Sequence, residues 1–160
     1  MANDIFLKVE GIEGQSTDKA HTNWIDVYSF SHGAAQNIQM GRGTDVAGRG
    51  KFEPFVIVHA VDKATPKLQQ FCMNGQKISK LKLDVCRAIA GRQEIVYEVT
   101  LENVKIASAI VKLITVNEVQ QPVEEVQFIA GKISWKETPI KPDNTKDGAI
   151  EACFDQVSNS

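Results

Sequence analysis

Cysteine is scarce: only Cys72, Cys86 and Cys153 occur in 160 residues. An odd and widely scattered set of thiols suits free cysteines in a reducing compartment and argues against a disulfide-built module. Aromatic residues make up only 7%, and proline occurs five times. No apolar run is long enough to cross a bilayer as a helix, because charged residues interrupt each one early. The opening Met-Ala-Asn-Asp-Ile-Phe-Leu-Lys lacks the basic stretch and apolar core of a secretory leader. Like charges do not run together either, since 18 basic residues face 20 acidic ones for a net charge of -2. Without a linear Lys or Arg cluster to neutralise phosphates, nucleic acid is not an expected partner. Neither is membrane insertion nor the general secretory route, so cytoplasmic folding is the expectation.

What is present is the composition of a globular domain, 42% hydrophobic and 24% charged. A chain of this length can bury roughly 70% of its unfolded surface, so a single domain over residues 1–160 is expected without disulfide or metal.

Period-two alternation dominates. Ile5, Leu7 and Val9 alternate with Phe6 and Lys8, stopping at Gly11-Ile12-Glu13-Gly14. In Trp24 to His32, Ile25 and Val27 share one face while Trp24, Tyr28 and Phe30 share the other, which predicts a strand well inside a sheet. The glycine-rich stretch Gly41 to Lys51 predicts a long mobile loop. Phe52 to Val61 resumes strand composition, with Pro54 at an edge or bulge because it cannot donate to a ladder. Leu81, Leu83 and Val85, then Ile95, Tyr97, Val99 and Leu101, continue the pattern through Val104 to Leu113. Gln121-Pro122 predicts a break, Val126 to Trp135 a further strand, and Ala149 to Val157 a last one after a turn-rich excursion from Pro139.

One helix is expected, opening at Thr65-Pro66 with the Thr65 hydroxyl as its cap and closing at Gly75. Leu68, Phe71 and Cys72 would form its buried stripe. Strands following strands with one inserted helix point to a mainly β fold, an antiparallel two-sheet β-barrel or sandwich with one short flanking α-helix.

The residues offer little chemistry. The glycine-rich segment lacks the Gly-Lys-Ser/Thr ending and following helix of a phosphate-binding loop, since Gly48-Arg49-Gly50-Lys51 leads into a strand. Ser31 and His32 are neighbours on a strand, so they point to opposite faces and cannot exchange a proton. His21 and His59 stand isolated in sequence, without metal-ligand spacing, so no metal or cofactor is expected. Glu94, Glu98 and Glu102 read as a solvated outer face, and neither they nor Glu124 and Glu125 have the apolar context of catalytic acids. Trp24, Phe30, Phe128 and Trp135 read as core residues rather than a stacking platform. No catalytic residue is expected.

Three stretches carry a resemblance: Asp4-Ile5-Phe6-Leu7-Lys8, Gly14-Gln15-Ser16-Thr17-Asp18-Lys19-Ala20-His21 and Ile25 through Gly33. Together with the glycine-rich segment, the run Asp62 to Leu68 with Cys72 and Gly75, and the strand Val126 to Trp135, they resemble the haemolysin-coregulated protein family, the tube protein of type VI secretion. The resemblance covers essentially the whole chain. Many relatives have tryptophan where this chain has His32 and Phe154, differences that touch packing.

The resemblance implies a two-sheet barrel, a homohexameric ring and rings stacked into a hollow tube. It further implies a contractile sheath around the tube, a valine-glycine repeat protein G spike at its tip, effector proteins as cargo, and export without a signal peptide. A head-to-tail ring is an interface that closes by rotation, and near-neutral net charge limits repulsion between many copies. The family's extended loop suggests Gly41-Arg42-Gly43-Thr44-Asp45-Val46-Ala47-Gly48-Arg49-Gly50-Lys51 as the ring-to-ring contact. It also places Ser31, with Ser29 on the same strand face, toward the lumen. The alternative is a secreted effector or enzyme on the same fold; toxic relatives carry an added C-terminal domain, for which Asn144 to Ser160 is too short.

Overall fold

The computed structural model describes residues 3–41, 43 and 46–160. Its strands are β1 (Asn3–Val9), β2 (Ile25–Val27), β3 (Ser29–Ala35), β4 (Ile38–Gln39), β5 (Val46–Ala47) and β6 (Lys51–Ala60). The helix α1 (Thr65–Asn74) follows, then β7 (Ile78–Ile89), β8 (Arg92–Val116), β9 (Val119–Glu137) and β10 (Ile150–Asp155). Eight strands form one antiparallel sheet in the order β2-β1-β7-β8-β9-β6-β3, with β10 beside β9. The ends of that path, β2 and β3, are one run of chain interrupted at Tyr28, whose N–H donates to the Val58 carbonyl at 2.8 Å. The sheet thus curls toward the expected barrel or sandwich, with α1 on its flank, although β2 and β3 do not pair with each other. Each half of this run has a ladder partner on one side only, so it lies at a sheet edge rather than in the central position its apolar weight suggested.

Alternation sorts the side chains. Leu7, Ile25, Phe55, Ile57, Leu81, Leu83, Leu101 and Phe128 point inward and are no more than 1% exposed. This packed interior leaves no passage through a subunit. Pro54 sits where the β3–β6 register shifts between Ser31 and Gly33, the bulge that a residue without an N–H tolerates.

Several boundaries differ from expectation. Pro122 lies inside β9, opposite Leu113, and the chain reverses earlier, at Asn117-Glu118. Both turn residues have positive φ, 49° and 65°, the left-handed pair that matches strand twist in a two-residue hairpin. The glycine-rich segment is no plain loop, because Ile38 and Gln39 pair with Ala47 and Val46 as a small separate sheet. The helix is capped at Ala64 without a side-chain bond. The Thr65 hydroxyl instead accepts from the Asp62 N–H at 3.2 Å, while the Asp62 carboxylate accepts from the Ala64 N–H at 2.9 Å. Gly75, in the left-handed conformation at φ 61°, ends the helix as expected. Leu68 is buried, and Phe71 and Cys72 pack against the core.

Candidate assembly surfaces

Two extensions leave the barrel. The first is the β4–β5 arm. Its foot is fastened where the Gly48 N–H donates to the Asn37 carbonyl at 2.6 Å and the Gln36 amide donates to the Gly48 carbonyl at 3.0 Å. A Cβ at Gly48 would lie 2.9 Å from the Asn37 oxygen, so only glycine permits this approach. The Arg49 guanidinium donates to the carbonyls of Gln156 and Val157, both at 2.8 Å, tying the arm to the C-terminal segment. Of the segment Gly41 to Lys51, Arg42, Thr44 and Asp45 lie outside the described residues. Gly41, Gly43 and Gly48 are exposed, and Lys51 opens β6.

The second extension is the distal part of the β8–β9 hairpin. Beyond the bulge between Ile106 and Ser108, β9 stays paired with β6 as far as Val123, and from Leu113 and Pro122 outward the two strands run alone. There Ile110, Val111, Leu113, Val116 and Val119 are 51%, 49%, 64%, 45% and 65% exposed. Two-stranded ribbons are marginal alone, and the apolar end beyond Val123, where β9 no longer pairs with β6, asks for a covering surface. Near its tip the Gln121 amide donates to the Tyr28 hydroxyl.

Ser31 is exposed on the outward face of β3, as is Ser29. The register aligns Ser31 with Val56, Gln127 and Ser108, a small and largely polar row. His32 turns the other way, stacked between Phe55 at 5.6 Å and Tyr97 at 6.0 Å, with the Tyr97 hydroxyl 3.1 Å from its Nε2. Burial lowers its pKa. The two neighbours therefore face apart, and His32 is a packing residue. Phe154 packs edge-on to Phe52 at 6.0 Å, again as packing.

The two histidines that look isolated in sequence each meet carboxylates in the fold. His59 and Glu124 are both fully buried, with Nε2 and Oε1 2.7 Å apart. Gln69 of α1 donates to the other Glu124 oxygen at 2.8 Å and to the Ala109 carbonyl at 2.9 Å, so the cluster joins helix, barrel and hairpin. Burial opposes charge on His59, but Asp62 and Glu124 outweigh it and push its pKa up to about 9. Glu124, read in the sequence without apolar context, is thus a fully buried ion-pair partner.

His21 bridges Asp18, 2.7 Å from Nδ1, and the buried Asp84, 2.8 Å from Nε2. Its ring lies stacked on Phe6 at 4.3 Å and edge-on to Trp24 at 4.6 Å. Burial raises the Asp84 pKa against the hydrogen bond from His21. This cluster pins the segment before β2 onto the outer face of β1 and β7, and leaves Trp24 there rather than in the core. Both clusters hold elements together.

Comparison with known proteins agrees with this architecture. The family model described as "Type VI secretion system effector, Hcp" matches residues 6–136. Protein hcp1 of Pseudomonas aeruginosa is 30% identical over 150 residues, spanning 92% of this chain and 91% of that protein. Hcp1 from Salmonella typhimurium has a TM-score of 0.81 at 25% identity, covering 99% of this chain and 98% of that one. The structure of a type six secretion system protein superposes with a TM-score of 0.91 over 99% of both chains at 24% identity, a likeness of fold. The chain belongs to the haemolysin-coregulated protein family, the secreted structural component from which type VI secretion builds its tube.

Proposed function

We propose that this chain, as a single domain over residues 1–160, closes into six-membered head-to-tail rings that stack into a hollow tube. The channel lies between copies, since each barrel is filled by its own core. One observation carries the reading: the distal β8–β9 hairpin exposes Leu113 and Val119 at 64% and 65%, an apolar edge that a neighbouring copy would cover. The β4–β5 arm, within Gly41 to Lys51, makes the ring-to-ring contact, and Ser31 lines the channel, where its small polar row lets cargo pass without strong adhesion. Effector proteins travel in that lumen. The spike, a valine-glycine repeat protein G, tips the tube and the contractile sheath surrounds it. The chain is cytoplasmic while assembled and leaves the cell through type VI secretion.

Light scattering and electron microscopy of the purified chain test this. The expected species is a hexamer that stacks at high concentration. Deleting Gly43 to Arg49 should leave rings but remove stacks, and Ser31→Glu should keep rings while reducing retention of a co-expressed effector. A persistent monomer overturns the reading, and unchanged stacking after the deletion removes the arm from it.

A further inference from the structure

Five lysines that are scattered in sequence converge on one outer surface. Lys8, Glu10 and Trp24 line two adjoining depressions, of about 610 Å³ and about 290 Å³. The larger adds Lys63 and Lys67 from the approach to α1 and its first turns, and the smaller adds Lys80 and Lys82 from β7. Lys8 and Lys82 stand directly opposite each other across β1 and β7. Like charges in that relation repel, so the fold keeps a pair that costs stability unless an anion lies between.

Internal carboxylates answer part of this charge. Lys82 lies 3.0 Å from Glu98 and 3.8 Å from Asp84, and Lys63 lies 3.7 Å from Glu13. Among the described residues, Lys8, Lys67 and Lys80 have no carboxylate within ion-pair distance. The wall between them is Trp24, half-buried and held edge-on against His21, whose carbonyl accepts from the Trp24 N–H at 3.1 Å. Gly14 lets the chain fold back here, because a Cβ would collide with the Trp24 carbonyl.

We infer that this lysine-lined, tryptophan-walled groove is a docking site for an acidic segment of a partner protein. Its cations are all lysine, point charges without the planar fork that grips phosphate in two-pronged fashion. Glu10 and Glu13 stand among them, so a dense polyphosphate meets repulsion that a chain with spaced carboxylates avoids. Trp24 adds an aromatic surface for the partner's backbone and apolar side chains. The site goes beyond assembly, since it needs neither the β4–β5 arm nor the distal hairpin.

The full chain is titrated with an acetylated decapeptide of alternating Glu and Ala, its Gln counterpart, inorganic phosphate and a ten-nucleotide oligothymidylate. Calorimetry reads binding on the unmodified chain, and Trp24 emission reads position in a Trp135→Phe background. Saturable binding of the Glu peptide is expected, with an emission shift, and steep weakening between about 50 and about 500 mM salt. Lys8→Gln with Lys67→Gln should weaken it at least about tenfold, with Lys80→Gln acting in the same direction and Lys105→Gln neutral. The Gln peptide should not bind. The inference is overturned if the Glu peptide fails to saturate, if phosphate or the oligonucleotide binds more tightly, or if the groove variants bind unchanged while circular dichroism shows the native fold. A change of assembly state on adding the peptide, read by light scattering, also overturns it, by making the groove an interface between copies. Failure of ring formation itself would leave these outcomes readable on the monomer.

Discussion

The near and far halves of the β8–β9 hairpin share one ladder and obey different rules. Near the barrel, Val99, Leu101, Phe128 and Ile133 point inward and are at most 1% exposed, while Glu98 and Glu102 on the outer face pair with Lys136 and Lys132. Past Ser108, apolar residues appear on both faces: Ile110 alternates with Val111, and Leu113 and Val119 lie open. The near half satisfies a core that the chain supplies itself. The far half has the composition of a core whose other side is missing, and the contrast separates residues that fold the subunit from residues that await a copy.

The sharpest break is in the near half. Phe128→Ala empties a fully buried site between Phe55 and Ile106, and should cost about 3–5 kcal/mol, read as a fall in the urea midpoint without change in slope. It should be measured at concentrations where light scattering reports monomer, because assembly raises apparent stability.

The junction between the halves comes next. Glu124→Gln leaves His59 buried beside a neutral partner, with Asp62 3.6 Å away on its other side, and should cost about 3 kcal/mol. The same pair sets a pH dependence. The folded-state pKa of His59, about 9, lies above the ordinary 6.5 of the unfolded chain. Its contribution is therefore complete below pH 6.5 and is lost as pH rises through about 9. Urea midpoints of the wild type should fall toward those of His59→Gln across that window; a constant gap between the two proteins would refute the ion pair.

How far this division could be read in the sequence depended on whether a signal was local. Strict alternation from Leu81 to Leu101, and Pro66 and Gly75 bracketing α1, report contacts made within a few residues, and they placed strands and helix correctly. Pro54 likewise marked its bulge. Asn117-Glu118 escaped notice because neither residue is glycine or proline, while Pro122, close to the tip in β9, looked like the better breaker. The burial of Asp84 and Glu124 was not legible in the sequence because their histidine partners lie 63 and 65 positions away, beyond any window of periodicity. The lysine groove is invisible in one dimension for the same reason: Lys8, Lys67 and Lys80 belong to three elements. Ser31 and the glycine-rich segment were tied to assembly only through family likeness, since nothing in an exposed serine or a run of glycines specifies a neighbour.

The smallest stability effect belongs to the far half, and it discriminates best. Leu113→Lys and Val119→Lys replace side chains that already sit mostly in water, so monomer stability should move by no more than about 0.5 kcal/mol. If the exposed apolar edge is half of an interface, the same changes bury a charge against the next copy and should abolish rings, seen by light scattering as monomer at concentrations where the wild type assembles. Lys112→Gln, on the same ribbon but within 3.9 Å of Glu125, controls for general disturbance and should leave both readings nearly unchanged. Rings that persist in both lysine variants would mean that the far half is covered by something other than a neighbour in the ring. The contrast between the two halves would then mark a surface for another partner, and the lateral contact would have to be sought elsewhere on the barrel.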